Sequence, residues 1–470
     1  MGSLIFFNDK RNETTKKDVT MKISTLTLGI TAATLSLSSF ANATTVEYWT
    51  IQTQSDRLQT IEIMADVFEA LNPGIDVKII GVDENDMPKQ IAAAAASNTL
   101  PDLIEVGSNL SLAFAEEGIV DTVANTQVIN TIGKPRFYNG ALTLVENPES
   151  KEYVAIPYHG WIQGIWYRAD WFKEAGLAPP TTWEAIEKAA KYFYKPKENQ
   201  YGILVGTKAD SYAEQCYTQF ALSNDAGEFD KAGNLVFNSK AQIETLDFYK
   251  TLAKYNPPGP QTWRARDYYL QGKLAMFFYS SYILDDIALA EAAASSLSAD
   301  NFKELTNAQF DPNLAKNTRL ASTITNKSPS SFGTMIGFSI MKNDDKAEAD
   351  ATKAFVEYMN EKDQVIAYSH MAVGGHLPML RDIAETDEFL NDPKGIFAKY
   401  GKDSIREIVA GFDNIKNFAV VDGKAFPKSG EIFAKQIIPR MIYSATIEDK
   451  STKDSLDWAE QQMQEIVDKK

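Results

Sequence analysis

Two patterns of hydrophobic and polar positions alternate along the chain after residue 43. Residues 46–50 and 75–82 combine β-branched and aromatic residues with polar ones, which predicts two strands. Between them the apolar residues recur every three or four positions, which predicts an amphipathic helix that ends at Asn72-Pro73-Gly74. The apolar face of this helix consists of Ile61, Met64, Ala65, Phe68 and Leu71.

The alternation of strands and helices continues through most of the chain. Further helices are predicted over 87–97, 183–193, 243–255, 288–298 and 346–360, and a last one carries Leu456, Ala459, Met463 and Ile466 on one face. Further strands are predicted over 103–106, 201–205, 235–238, 274–279 and 335–341, and an irregular stretch over 301–329. The order predicts an α/β fold with a mostly parallel sheet and helices on both faces.

The end of each parallel strand is the expected position of a ligand site. In open α/β sheets, ligands bind beyond the carboxyl ends of the strands. The loops 52–57 and 107–109 lie at those ends. We therefore expect these two loops to border a binding site.

The size and charge of the chain restrict its architecture and its partners. With 470 residues, the chain is too long for a single hydrophobic core, so two lobes are expected. Its formal net charge of −16 repels the phosphates of nucleic acids and the headgroups of anionic lipids, and no basic run offsets it. Nucleic acid is therefore excluded as a partner.

The N-terminal segment has the layout of a secretory signal peptide. Met21-Lys22 gives a short positive start, residues 23–40 are apolar or small and uncharged, and Ala41-Asn42-Ala43 forms a cleavage site before Thr44. Residues 1–20 are interpreted as an upstream extension. The single cysteine, Cys216, allows no internal disulfide, and no cysteine at the cleavage site is present to carry a lipid. The sequence thus predicts an unlipidated protein of the periplasm.

Nine short segments follow one another in an order that is specific as a set, although each is weak alone. They are the Trp49-ended first strand, 68–77, 100–104, 117–120, 156–158, 166–168, 180–184, 271–276 and 374–378. In this order they resemble the family 1 extracellular solute-binding proteins of carbohydrate ABC importers, the group that contains maltose-binding protein. The resemblance spans nearly the whole of the chain after residue 43.

The resemblance implies a periplasmic binding protein fold of type II. Two α/β lobes are joined by three crossing segments and close as a hinge around the ligand. The implied hinge segments are 159–163, 333–337 and 373–378. The implied N-terminal lobe is 44–158 with 338–373, and the implied C-terminal lobe is 164–332 with 379–470.

Binding of a neutral sugar needs aromatic faces for the ring and planar polar groups for its hydroxyls. The resemblance places 158–161 at the cleft and gives Tyr282 the position of a stacking aromatic. Trp263 is either an aromatic platform or a residue of a small core, and His376 either contacts the ligand or caps the hinge. The predicted ligand-binding residues are Gln54, Asn109, His159, Trp161, Gln215, Tyr217, Trp263, Tyr279, Tyr282, Thr334 and His376.

The function predicted from these features is a monomeric receptor that delivers a sugar or oligosaccharide to the membrane permease subunits of an ABC importer. A receptor for a polyol, glycerol phosphate or an acidic oligosaccharide is an alternative, and Arg264 and Arg266 are the basic residues that would meet an anion. A secreted glycosidase is a further alternative. It would need two carboxylates, and the sequence contains so many acidic residues that such a pair can be neither identified nor excluded. No catalytic residue, metal or cofactor is predicted, since the three histidines lack metal-ligand spacing.

Overall fold

The computed structural model describes residues 43–147, 149–263, 265–298, 308–421 and 424–469. The predicted signal peptide therefore lies outside the described residues, apart from Ala43. Within the described ranges, no helix is both long enough and apolar enough to cross a membrane.

The strands are mostly short, with two long exceptions. β4 has 13 residues and β9 has nine. The strands are β1 Thr44–Thr50, β2 Ile75–Gly81, β3 Leu103–Gly107, β4 Ile156–Arg168, β5 Met276–Ser280, β6 Thr318–Ala321, β7 Ile324–Thr325, β8 Pro329–Ser330, β9 Phe332–Ile340, β10 Leu377–Pro378, β11 Val420–Val421 and β12 Lys424–Ala425.

Helices make up most of the remaining regular structure. Short 3-10 helices occur at Lys134–Arg136, Pro196–Glu198, Ser281–Ile283 and Ala410–Asn414. The α-helices are α1 Ser55–Leu71, α2 Met87–Ser97, α3 Ser108–Glu116, α4 Thr122–Ile132, α5 Asn139–Thr143, α6 Ala169–Ala175, α7 Trp183–Phe193, α8 Ser211–Ser223, α9 Lys240–Ala253, α10 Ala265–Leu270, α11 Leu284–Ala288, α12 Ala290–Leu297, α13 Leu314–Asn317, α14 Lys346–Met359, α15 Lys362–Met371, α16 Arg381–Ala384, α17 Asp387–Leu390, α18 Ile396–Tyr400, α19 Lys402–Val409, α20 Lys428–Ala434, α21 Ile437–Thr446 and α22 Thr452–Val467.

The strongly periodic helices lie where the hydrophobic pattern predicts them. α2 and α7 have the predicted bounds, and the Thr182 hydroxyl caps α7 by accepting from the backbone N–H of Ala185. The predicted apolar face of α22 is buried in full. In α1 the predicted face is buried except for Leu71, which is 67% exposed because it lies at the last position before the chain turns.

The main sheet is mixed, so the prediction of a mostly parallel sheet is wrong. Among the described residues it contains eight strands, in the order β10-β4-β9-β3-β1-β2, with β5 and β6 also paired to β4. Only β1 runs parallel to its neighbours, β2 and β3. Every other pairing in this sheet is antiparallel. The long β4 and β9 lie next to each other in the sheet and run in opposite directions, although helices α6 to α13 separate them in the sequence.

Three weaker predictions also fail locally. The predicted strands 201–205 and 235–238 form only isolated bridges, through Tyr201, Leu204 and Leu235. Each has too few partners for a continuous ladder. The stretch 301–329, predicted to be irregular, contains α13, β6, β7 and β8 in its described part.

The three predicted hinge segments lie side by side in the structure. Residues 159–163 belong to β4 and residues 333–337 to β9, and the two strands pair from Ile156 to Gln163. β10, inside the third segment, pairs with β4 on its other side through Leu377 opposite Gly160. The first part of β4 therefore lies between β9 and β10, while its second part pairs with β5 and β6. The lobe boundaries and the hinge stay predictions.

Close backbone contact at this crossing requires a glycine at position 160. A Cβ atom added to Gly160 would lie 2.1 Å from the backbone oxygen of Thr334 and 2.6 Å from the Met379 methyl group. We expect Gly160→Ala to lower the free energy of unfolding by about 1–3 kcal/mol, because the strands must move apart. Urea unfolding followed by circular dichroism measures this change.

Gly430→Ala is the matched control for this substitution. A Cβ at Gly430 in α20 meets no atom within 4 Å, and alanine favours a helix. This variant should be neutral or slightly more stable. Equal unfolding midpoints for the two variants would contradict the close-packing explanation.

Candidate ligand-binding site

A cavity of about 470 Å³ opens where the end of β3 meets β4, β9 and α8. Its walls come from segments far apart in the sequence. Both strand and helix positions contribute, so the side chains are held by regular structure. The lining residues are Glu84, Gly107, Ser108, Asn109, Leu110, Trp161, Glu214, Gln215, Thr218, Glu228, Phe332, Gly333, Thr334, Asn417, Phe418, Ala419, Ser429, Gly430 and Phe433.

One wall of the cavity is aromatic. Trp161 of β4 and Phe332 of β9 meet edge to face, with ring centroids 6.1 Å apart. Trp161 is opposite Thr334 in the β4–β9 register, so the strand pairing fixes the positions of Trp161 and Thr334. Phe418 and Phe433 add two further rings. Such surfaces suit the apolar face of a sugar ring or another flat solute.

Polar side chains of α8 also line the cavity. Thr218 lies four positions after Glu214 and three after Gln215, so its side chain neighbours both of theirs on the helix surface. Glu214 is only 5% exposed, and its Oε2 has no hydrogen-bond partner in the described part of the chain. Burial, and secondly the nearby Glu228, raise the pKa of Glu214 well above its usual range.

Glu228 is a second buried acid at the cavity wall. It is 1% exposed, and its Oε2 accepts a short hydrogen bond from the Ser429 hydroxyl. Burial raises the pKa of Glu228 to about 8, although the bond from Ser429 acts in the opposite direction. Glu84 is a third acid, whose pKa is raised by burial and by Asp83. No lysine, arginine or histidine is among the described residues that line the cavity.

A buried hydrogen-bond network lies next to the cavity, centred on Glu105 of β3. The Glu105 carboxylate accepts hydrogen bonds from Tyr48 (2.8 Å), Thr50, Gln52 (3.2 Å) and Tyr368 (2.6 Å). It also pairs with Nε2 of His159 at 2.7 Å. Burial alone would raise the pKa of Glu105, but His159 and these hydroxyls lower it to about 2.

His376 completes the network on the side of β10. Its ring centroid is 4.4 Å from that of His159, and its Nδ1 lies 3.4 Å from the backbone oxygen of Tyr368. Burial, followed by the neighbouring His159, lowers the pKa of His376 well below its usual range. His376 is therefore a neutral imidazole at neutral pH.

Four of the predicted ligand-binding residues line the cavity: Asn109, Trp161, Gln215 and Thr334. Asn109 is exposed, and its Oδ1 lies 3.3 Å from the side-chain nitrogen of Asn417. These residues come from α3, β4, α8 and β9, which the fold brings together. Residues 107–109, predicted to be a loop, are the end of β3 and the start of α3, and they border the cavity as expected. Gln52 of the other loop is instead buried in the Glu105 network.

The remaining predicted residues lie elsewhere. Tyr217 is fully buried and donates to Oε1 of Gln242 at 2.6 Å, so its position is that of a core residue. His159 and His376 are held in the Glu105 network rather than at the cavity wall. Gln54 is exposed and occupies the N-cap position of α1, but its side chain makes no capping hydrogen bond.

The other aromatic candidates lie on β5 or close to it. Trp263 and Tyr279 pack edge to face, with ring centroids 5.7 Å apart, and Trp263 also contacts Tyr212. Tyr282 is 40% exposed and lies against Gly375, where an added Cβ would come 1.9 Å from its ring. None of these three aromatics is among the residues that line the cavity.

Sequence reasoning missed the acidic and several aromatic residues of the cavity. Glu214 immediately precedes the predicted Gln215 in the sequence, and this adjacency was the one signal that could have indicated Glu214 as a residue of the site. Glu228 lies in a loop among many other acidic residues, and only its burial distinguishes it. Phe418 and Phe433 come from the C-terminal region, where no pattern connects them with β4.

Residues 53–366 match the family model described as bacterial extracellular solute-binding protein, so this chain belongs to that family. The family resemblance seen in the sequence is confirmed. Members of this family are binding proteins. The YcjN protein of Escherichia coli (strain K12) is 25% identical over 450 residues, which cover 95% of this chain and 99% of that protein. Its name assigns it provisionally to the periplasmic-binding proteins of ABC transporters.

A further relative and two solved structures extend the comparison. The mannitol-binding protein of Pseudomonas aeruginosa is 27% identical over 49% of this chain and 53% of its own length. The sugar-binding protein MalE from Xanthomonas citri has a TM-score of 0.68 at 18% identity and covers 90% of this chain and 97% of its own. A ribitol complex from Agrobacterium radiobacter K84 has a TM-score of 0.61 at 19% identity, with 90% and 99% covered. The predicted two-lobed α/β fold class is thereby confirmed.

The buried acid at the cavity makes stability depend on pH in a definite direction. The unfolded chain releases the Glu228 proton near the ordinary pKa, whereas the folded chain keeps it up to about 8. The folded protein therefore loses stability as the pH rises between these values. We expect Glu228→Gln to stabilise the protein by ~2–4 kcal/mol more at pH 8 than at pH 5, measured by urea unfolding.

Glu431→Gln on α20 provides the control, because Glu431 is exposed and paired with Lys428. Lys428 lowers the pKa of Glu431, so replacing the Glu431 carboxylate with an amide should not stabilise the protein at pH 8. If Glu228→Gln changed stability equally at both pH values, the carboxyl of Glu228 would not be held neutral in the folded protein.

Proposed function

We propose that this chain is a monomeric periplasmic receptor that binds a saccharide or a polyol and delivers it to the permease subunits of an ABC importer. The observation that carries the proposal is the cavity, whose lining combines aromatic rings with polar side chains. A hydrated solute of this kind is released from water only if both its ring faces and its hydroxyls find partners. Membership of the solute-binding family supports the same role.

The chemistry of the lining favours a ligand without negative charge. The described lining residues include three acids and no basic side chain, so a phosphate or a carboxylate would meet repulsion. Arg266, considered as a partner for an anion, instead pairs with Asp286 at 3.1 Å. Arg264 lies outside the described residues. Glycerol phosphate and acidic oligosaccharides are therefore the less favoured ligands.

Binding is proposed to close the two predicted lobes around the cavity. Trp161 and Thr334 of the cavity lie within the predicted hinge segments, whereas Gln215 belongs to the predicted C-terminal lobe and Asn109 to the N-terminal one. A solute that contacts both lobes favours the closed form by its extra contacts there. Secretion through the predicted signal peptide, without a lipid, would place this receptor in the periplasm.

A hydrolase is the second function class to consider, because acidic residues line the cavity. Glycoside hydrolysis needs one protonated acid and one ionised carboxylate on either side of the bond. Burial raises the pKa of both Glu214 and Glu228, so neither is poised as the ionised partner at neutral pH. Burial likewise raises the pKa of Cys216 to about 12, which disfavours a thiolate nucleophile. We therefore propose that the protein is not an enzyme.

A ligand panel tests this function. Mono- and oligosaccharides and polyols are added in a thermal-shift assay, with glycerol 3-phosphate and galacturonate oligomers as anionic comparisons. At least one uncharged or cationic carbohydrate should raise the melting temperature, because it binds only the folded state. Chromatography of the same mixture should show no products. Release of products from an oligosaccharide, or a shift with the anionic compounds alone, would contradict the proposal.

Removal of an aromatic surface should weaken binding of the strongest ligand from that panel. We expect Trp161→Ala to raise the Kd about 10- to 100-fold, since stacking on the ring is lost. Tyr282→Ala tests the second, exposed aromatic and should weaken binding if the ligand extends to Gly375. Isothermal titration calorimetry measures both changes.

Trp458→Ala serves as the control for these variants. Trp458 lies on α22, where Arg440 stacks over its ring at 5.0 Å, and it does not line the cavity. This variant should keep the original Kd. An unchanged Kd in Trp161→Ala would remove Trp161 from the binding site.

A further inference from the structure

The acids at the cavity lack the counter-charge that buried carboxyls normally have. Glu214 and Glu228 are close enough for the charge of one to affect the other. Both are at least nine-tenths buried, and Oε2 of Glu214 has no hydrogen-bond partner among the described residues. Buried carboxyls are ordinarily paired with a cation or saturated with hydrogen bonds.

Among the described residues that line the cavity, none supplies a cation to this pair. Burial raises the pKa values of both Glu214 and Glu228, the nearby Glu228 raises that of Glu214 further, and no basic side chain lowers either one. The charged residues on the neighbouring helix α20 are Lys428 and Glu431, which pair with each other at 2.8 Å. Glu84, the third acid of the lining, adds further negative charge to the same cavity.

The aromatic wall adds a second preference for positive charge. The faces of Trp161, Phe332 and Phe418 carry partial negative charge, which attracts an ammonium group that has lost part of its water. Carboxylates and aromatic faces together form the usual protein surroundings of an organic amine. An uncharged hydroxyl gains much less from the same groups.

We propose that the solute of this cavity is an amino sugar, or an oligosaccharide that contains one, with its protonated amine bound by Glu214 and Glu228. This inference rests on the proposed function and specifies the class of saccharide. The ammonium group would donate to the unpartnered Oε2 of Glu214, and its positive charge would favour ionisation of the carboxyl group that binds it, whose proton passes to the solvent on binding. The aromatic wall would hold the apolar face of the ring.

Matched ligands that differ at one substituent test the inference. The probes are the β-1,4-linked disaccharide of glucosamine, its N-acetylated form and cellobiose, together with glucosamine, galactosamine and mannosamine and their parent hexoses. Binding is measured by isothermal titration calorimetry at pH 6.5 and low salt. At least one amine should bind about tenfold or more tightly than its hydroxyl counterpart.

Glutamine variants identify the groups responsible. Glu214→Gln and Glu228→Gln keep the shape but cannot ionise when the amine binds, so each should weaken the amine about tenfold while leaving the hydroxyl counterpart within about twofold. Glu431→Gln, an exposed acid that does not line the cavity, should leave the Kd of both probes unchanged. Equal losses for amine and hydroxyl probes would indicate a structural role and overturn the inference.

The remaining outcomes separate this inference from the proposed function. If hydroxyl or N-acetyl probes bind as tightly as the amines, the amine inference is overturned and the receptor function stands. If no amine probe binds, the inference is also overturned. In that case the wider thermal-shift panel decides, independently, whether the protein is a carbohydrate receptor.

Discussion

The structure depends on one buried carboxylate, that of Glu105 at the centre of the sheet. Its partners come from β1, from β4 and from α15, with Tyr48, His159 and Tyr368 as the closest contacts to its oxygens beside Thr50. An ionised group without these partners would be very costly to bury, and loss of one partner of a buried charge typically costs about 3–5 kcal/mol. The network therefore fixes how three separate parts of the chain meet.

The same network determines where the cavity lies. Residues two apart in a strand point to the same face, so Gly107 follows Glu105 and Trp161 follows His159 on one side of the sheet. Each strand thus places one member of the His159–Glu105 pair in the interior and, two residues further along, a residue at the cavity wall. The position of the indole is consequently tied to the His159–Glu105 pair. We infer that binding geometry and stability are coupled through these two short strand segments.

Local signals made part of this arrangement predictable. α2 and α7 were predictable because their periodicity and end signals are contained in the helix itself. The antiparallel course of β4 and β9 was not, since it depends on pairing between segments more than 150 residues apart, which no local pattern encodes. Trp161 was found because its segment is locally distinctive. The loop acid Glu228 was missed because only the tertiary structure shows which acidic residues are buried.

The two kinds of buried acid in this protein carry opposite consequences. Glu105 is saturated with donors and remains ionised, so it strengthens the folded state over most of the pH range. Glu214 and Glu228 have few donors, so they reduce stability once the pH favours their ionised forms. A folded chain keeps such a destabilising pair only where something other than stability favours it. They line a cavity together with an indole and three phenyl rings, which makes ligand recognition the physical reason that fits both their burial and their lack of partners.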